Sequence, residues 1–330
     1  MLCYVWNRLE EKETVHISRN DEKDIYNLLA RVLISRLKIL IRRGYYKEYI
    51  SEEEETGTIR GRINFPQSLN KLSFKQARMY CEFDELSHDI LHNQIIKTTL
   101  YYLLRLPLVN KNIRADIQKI YPYFQEIKTI HLTNRVFYQV KIHRTNQQYG
   151  FLIDICKFLY DSLLISDEDT AKEKFTAFNQ NTPELAYLFE DFVRNFYKKE
   201  LTNSKVSRED LYWDASGDDL SYLPKMQTDI SIEVNNKKII MDTKFYRNTL
   251  SDNYNSEKLI SNNLYQVFAY INNSKSKYDK KTTGILLYPK VDKDLDLSYT
   301  MSGYPMKVFT VDMNEEWQSI HERLIEIVSV

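Results

Sequence analysis

Two strand-like runs, Met226 to Val234 and Lys238 to Phe245, flank the pair Asn235-Asn236, and this restricts the folding of the 330-residue chain more than any other feature. Asparagine tolerates the positive φ of two-residue hairpin turns, so the spacing predicts a tight antiparallel hairpin. In that register Val234 faces Lys237, and counting outwards sets Asp229 directly opposite Asp242. Side chains alternate along a strand, so Asp242 and Lys244 share one face and Met241 and Thr243 the other. Opposed cross-strand Cβ atoms lie ~4.5–5.5 Å apart, where two like charges are destabilising unless something neutralises them. A divalent cation would.

Hard carboxylate oxygens completed by water suit Mg²⁺ or Mn²⁺ better than Zn²⁺. Such an ion polarises a phosphodiester and acidifies a water, while a neighbouring ammonium orients that water or stabilises charge on phosphorus. The D-x-K pattern alone is weak, since it recurs at Asp21-Glu22-Lys23 and Asp279-Lys280-Lys281. The run Lys238-Ile239-Ile240-Met241 before Asp242, and the facing acid, set that position apart. On the residues alone, a phosphodiester-hydrolysing site and a cross-strand ion pair both remain open.

The length suits two domains. Composition shifts to polar between Ser166 and Thr182, with Asp167-Glu168-Asp169 and Asn179-Gln180-Asn181, which divides the chain into residues 1–168 and 169–330. Lys and Arg total 46 and Asp and Glu total 46, so no global basic field draws the chain to nucleic acid, and any DNA contact is local or helped by a partner. Cys3, Cys81 and Cys156 are an odd number without metal-knuckle spacing, which suits buried thiols in a reducing compartment. Arg36, Lys38 and Arg105 interrupt the longest apolar stretches, and the N-terminus lacks a secretory succession, so the expectation is a cytoplasmic chain with no membrane span. Neither G-x-x-x-x-G-K-[ST] nor G-x-G-x-x-G occurs, so the chain itself is expected to bind no nucleotide.

Helical spacing covers residues 22 to 43, about Asp89 to Leu106 and about Tyr149 to Ile165. After the acidic run Glu52 to Glu55, Gly57 to Phe65 alternates as a strand that Pro66 closes. In the second half, Thr182-Pro183-Glu184 opens a helix through Glu200. The two strands follow it, then a helix from about Glu257 to Ile271, strands Gly284 to Tyr288 and Met306 to Val311, and a last helix. His88 and His92 share the i, i+4 spacing of zinc peptidases, but Asp89 stands where H-E-x-x-H needs glutamate, so a capping or surface role is expected. Arg60 and Arg62 read as sheet-edge charges.

The series Glu190, Pro224-Lys225-Met226-Gln227-Thr228-Asp229, Met241-Asp242-Thr243-Lys244 and Gln266-Val267-Phe268-Ala269-Tyr270 resembles the PD-(D/E)xK nuclease core with the Q-x-x-x-Y helix of its RecB-like branch. More closely, the chain resembles the McrC family, nuclease subunits of the McrBC modification-dependent restriction system. The likeness extends through Leu2 to Trp6, Gly61 to Phe65, Tyr212 to Ser216, Leu223 to Ile230, Asn263 to Gln266 and Leu287 to Pro289, although relatives have a short segment before Leu2. It implies an α/β (α+β) fold class, with an N-terminal mixed α/β coupling domain and a restriction-endonuclease-like domain whose mixed central sheet is flanked by helices. It also implies that Asp229 and Asp242 bind Mg²⁺, that Lys244 serves the attacking water, and that Glu190 completes or supports the metal shell. Gln266 and Tyr270 would reach the same cleft or a DNA phosphate from one helix face, although Tyr270 also reads as a core aromatic. The implied partners are an McrB-like AAA+ ring, which binds the GTP and is stimulated by residues 1 to about 165, and double-stranded DNA carrying a modified cytosine. The other readings are a non-catalytic scaffold of an AAA+ motor and an autonomous RecB-like repair nuclease.

Overall fold

The computed structural model describes residues 1–8, 25–107, 109–164, 183–234, 237–245, 251–253, 256–274, 281–291 and 293–329. The chain divides into two units, Glu11–Asp167 and a second made of Glu168–Val330 together with Met1–Glu10. The polar stretch Ser166 to Thr182 expected to hold the boundary lies outside the described residues. The first ten residues belong with the C-terminal unit, not with the first half where a 1–168 division puts them.

The reason lies in Tyr4, in the short helix α1 (Leu2–Val5). Its ring is buried against Phe192, Phe196 and Trp317, and its hydroxyl donates to Glu200. Asn195 Nδ2 donates to the carbonyls of Tyr4 and Val5 at 3.1 and 3.2 Å, which ties the end of that turn to the helix Pro183–Glu200.

In the first unit, helix α2 (Ile25–Arg43) buries Leu29, Leu33 and Leu37, one stripe at helical spacing. It is followed by strands β1 (Glu48–Thr56) and β2 (Arg62–Ile63), helix α3 (Phe65–Asn70) and strand β3 (Met79–Ser87). The three strands form an antiparallel sheet of order β1-β3-β2. Helices α4 (Leu91–Arg105), α5 (Lys111–Ile120), α6 (Asn134–Gln139) and α7 (Gln148–Leu159) complete the unit. Glu52 to Glu55 lie inside β1, where mostly exposed side chains leave the backbone ladder to β3 intact. One expectation fails here: Pro66 does not close a strand, because Asn64 caps α3 by accepting from the Gln67 N–H at 3.1 Å, and the proline occupies its first turn. Gly61 has φ +64°, and a Cβ there would meet the Glu82 carbonyl at 2.3 Å, so this stretch turns where strand was expected. His92 is a second correction. It is a core side chain whose Nε2 lies 3.1 Å from the Lys141 carbonyl, while His88 pairs with Glu126 at 3.1 Å. Arg60 pairs with Glu85 at 3.8 Å and covers Phe83, as a sheet charge does. Cys81 and Cys156 are buried free thiols and Cys3 is half-buried.

The second unit opens with helix α8 (Pro183–Glu200). Then come strands β4 (Ser204–Ser207), β5 (Asp210–Leu211), β6 (Met226–Gln227), β7 (Ile230–Val234) and β8 (Lys237–Thr243). After the small pair β9 (Ser251–Asn253) and β10 (Ser256–Lys258) come helix α9 (Ser261–Asn273), strands β11 (Lys281–Pro289), β12 (Asp296–Met301) and β13 (Tyr304–Val311), and helix α10 (Trp317–Val328). A mixed six-stranded sheet runs β12-β13-β11-β8-β7-β4, with β8, β11 and β13 parallel and β7 antiparallel to β8.

Alternation sorts its residues. Ile239, Met241, Ile285 and Leu287 face α8 and α10, in a core with Phe189, Phe192, Phe196 and Leu324. Ile240, Leu286 and Tyr288 face α9 through Val267, Tyr270 and Ile271. Gly284 lets α9 lie close, since a Cβ there would stand 2.4 Å from Ile271 Cδ1 and 2.7 Å from Val267 Cγ1.

Replacing Tyr4 by Ala removes a buried aromatic ring far in sequence from the sheet it supports. Thermal unfolding followed on the full chain should show the second unit destabilised by ~3–5 kcal/mol, with the first unit's transition unmoved.

Candidate active site

The hairpin register is the one the sequence predicts. Ile230 pairs with Met241 and Val234 with Lys237, so one step beyond the ladder Asp229 stands opposite Asp242; Asn235 and Asn236 lie outside the described residues. The first strand does not run unbroken from Met226 to Val234. It breaks at Thr228, whose N–H donates to the Glu209 carbonyl at 2.9 Å and whose hydroxyl accepts from the Glu209 N–H at 3.0 Å. That kink places Asp229 at the mouth of β7, where its Oδ2 accepts from the Thr243 N–H at 2.9 Å.

Asp242, next to last in β8, lies on the α9 side and is fully buried. Its Oδ2 is 2.9 Å from Lys244 Nζ, but this is an ion-pair contact by distance: neither carboxylate oxygen has a well-directed hydrogen-bond donor among the described residues. Lys244 is held from its other side. Its ammonium donates to Gln266 Oε1 at 3.1 Å, and Gln266 Nε2 donates to the Tyr270 hydroxyl at 2.7 Å. Gln266 and Tyr270, one turn apart on α9, thus join Asp242 and Lys244 in one polar chain, and the donor-only Lys244 ammonium fixes which way the Gln266 amide points.

Residues 1–289 match the protein family described as McrBC 5-methylcytosine restriction system component. The chain belongs to the McrBC family. It is 32% identical to the type IV methyl-directed restriction enzyme EcoKMcrBC of Escherichia coli strain K12, over 99% of this chain and 94% of that one. Its fold resembles a half-complex from the tetradecameric assembly of Thermococcus gammatolerans McrB AAA+ hexamers with bound McrC. That likeness has a TM-score of 0.58 and 16% identity, and covers 98% of this chain and 76% of that one.

In this McrBC-family chain the site's electrostatics follow from burial. Burial, then the charge of Asp229, pushes the Asp242 carboxyl up to about 7, against the pull of Lys244. Burial also raises the Tyr270 phenol, which stays neutral beside the two acids. Glu190 is raised by burial and by Asp229, but its Oε1 already accepts from Arg194 Nη1 at 2.7 Å and from Arg208 Nε at 2.9 Å. The structure therefore brings Asp229, Asp242, Lys244, Gln266 and Tyr270 together and ties Glu190 to two arginines beside them. Among the described residues no three acidic, histidine or cysteine side chains form one metal-holding group. The fit to a cation comes instead from two opposed carboxylates, one of them buried with both oxygens short of donors.

Sequence reasoning passed over Arg208-Glu209-Asp210, a charged triplet pinned at each residue. Arg208 holds Glu190; Glu209 accepts from Lys238 Nζ at 2.8 Å and Ser231 Oγ at 2.9 Å; Asp210 accepts from Lys225 at 2.6 Å and Gln227 at 2.8 Å. The available signal was Lys238, which shares the parity of Ile240 and Asp242. A lysine at an inward position requires a buried counter-charge.

A raised carboxyl favours the folded state while protonated, and that contribution is lost as pH rises from the unfolded value near ~4 to the folded value. Asp242→Asn cannot ionise. Its melting temperature without divalent cations should therefore gain on wild type between pH 4 and pH 7, by several degrees, and stay level above. A difference independent of pH would contradict the burial account.

Proposed function

We propose that this chain is the DNA-cleaving subunit of a GTP-dependent, modified-cytosine-dependent restriction complex. The observation that carries the reading is Asp242, a buried carboxylate with no well-directed donor among the described residues, opposed by Asp229 and joined by an ammonium. Asp229 and Asp242 would hold Mg²⁺, which when bound polarises a phosphodiester and acidifies a water. Lys244 has a separate task. Fixed between Asp242 and Gln266, its ammonium orients the attacking water and offsets the negative charge that accumulates on the phosphoryl oxygens. Gln266 and Tyr270 keep that ammonium in place, and Tyr270, as a neutral phenol, adds no charge.

The unit Glu11–Asp167 is the proposed docking and GTPase-stimulating part, with the GTP held by a McrB-like AAA+ ring. The similar Thermococcus assembly contains McrB AAA+ hexamers with bound McrC, which supports such a partner. No helix among the described residues is long and apolar enough to cross a membrane, which fits a DNA substrate in the cytoplasm.

Methylated and unmethylated plasmid are incubated with the purified chain and Mg²⁺, with and without the partner ring and GTP. Cutting of methylated DNA should appear only in the complete mixture. Asp242→Ala should abolish it while leaving partner GTPase stimulation intact, and Lys244→Ala should lower the cleavage rate ~10²–10³-fold with little change in the DNA concentration needed. GTPase stimulation without cutting would favour a scaffold, and cutting by the chain alone an autonomous nuclease.

A further inference from the structure

Arg208 continues β4 just past its last pair with β7, Ser207 with Ser231, and so lies at the end of β7 where Asp229 sits. Its side chain turns to the α8 side. There Glu190 Oε1 accepts from Arg208 Nε at 2.9 Å and also from Nη2. Glu190 is 7% exposed, whereas the Arg208 side chain is 38% exposed. A guanidinium carries five N–H donors in a rigid plane. Glu190 takes two, and among the described residues the rest meet no acceptor. Arg194, which also bonds Glu190, is only 18% exposed and is balanced by Asp191. Of the two arginines, Arg208 is the more exposed, and among the described residues Glu190 is its one hydrogen-bonding partner.

We propose that Arg208 binds a DNA backbone phosphate at the edge of the Asp229–Asp242 site, and that Glu190 is the positioning residue that sets its guanidinium plane. Planar donors held by a buried carboxylate are pre-organised for a phosphate's paired oxygens, so little side-chain freedom is lost on binding. In a chain with 46 basic and 46 acidic residues, whatever DNA contact the chain itself makes comes from local placements of this kind. Glu190 then acts through Arg208, which accounts for a buried acid bonded to arginine beside the two facing aspartates. The inference rests on the nuclease reading for its ligand, but the two can fail separately.

The test uses the full chain in an Asp242→Asn background, which prevents cutting, and measures anisotropy of a labelled duplex oligonucleotide across a salt series. Adding Arg208→Ala should weaken binding ~10-fold or more and reduce the slope of log affinity against log salt by ~0.9. Arg208→Lys should keep the slope, since it keeps the charge, and lose part of the affinity. A purely structural Arg208–Glu190 pair makes a different forecast: the joint change Glu190→Gln with Arg208→Gln, a neutral hydrogen-bonded pair, would restore full affinity. Such restoration, or unchanged affinity and slope in a folded Arg208→Ala protein, would overturn the proposal. If Arg208→Ala alone does not fold, the joint variant decides, with weak binding supporting the phosphate contact. Failure of wild type to cut plasmid in the complete mixture would remove the nuclease reading and leave this contact to stand or fall on the binding data.

Discussion

Two carboxylates facing each other across an antiparallel pair are the constraint around which the second unit is arranged. The ladder from Ile230–Met241 to Val234–Lys237 fixes the pairing, and shifting it by one residue would turn Asp229 and Asp242 to opposite faces of the sheet. The opposition is costly without a cation, so the surroundings must over-determine it. Thr228 and Glu209 fix the kink before Asp229, the Thr243 N–H holds its carboxylate, and Lys244 stands beside Asp242.

The same alternation that aligns the acids supplies the unit's stability. Odd positions of β8 feed the aromatic core of α8 and α10, while even positions carry Lys238, Ile240 and Asp242 towards α9. Gly284 has no side chain because α9 lies close to the sheet there, and Val267 and Ile271, which fill that space, lie on the same helix as Gln266 and Tyr270. Core packing and Lys244 orientation thus depend on one helix placement. At the far side of the core, Tyr4 brings the N-terminal segment into the unit, so the helix that carries Glu190 is packed partly by residues at the other end of the sequence.

How much of this was legible in the sequence follows from the range of the interactions. The facing of Asp229 and Asp242 is a local consequence of a tight hairpin and strand parity, and both are written in neighbouring residues. That Gln266 and Tyr270 share one helix face was legible from their spacing, whereas the bond from Lys244 to Gln266 was not, because it joins a strand end to a helix distant in sequence. Short strands such as Ser204–Ser207 and Asp296–Met301 were not, because their mixed sequences become strands only through the partners that pair with them. Arg208 and Glu209 were missed for the same reason: their meaning lies in contacts with Glu190, Lys238 and Ser231, which are distant in sequence. The acidic strand Glu48–Thr56 was not legible either, because its ladder is completed by the distant segment Met79–Ser87.

The most direct measurement is a calorimetric Mg²⁺ titration of the full chain beside its Asp229→Asn and Asp242→Asn variants near neutral pH. The facing-carboxylate account predicts saturable binding in the wild type that each single amide weakens strongly, because each removes one charge of the opposed pair. Equal binding in all three proteins would contradict it.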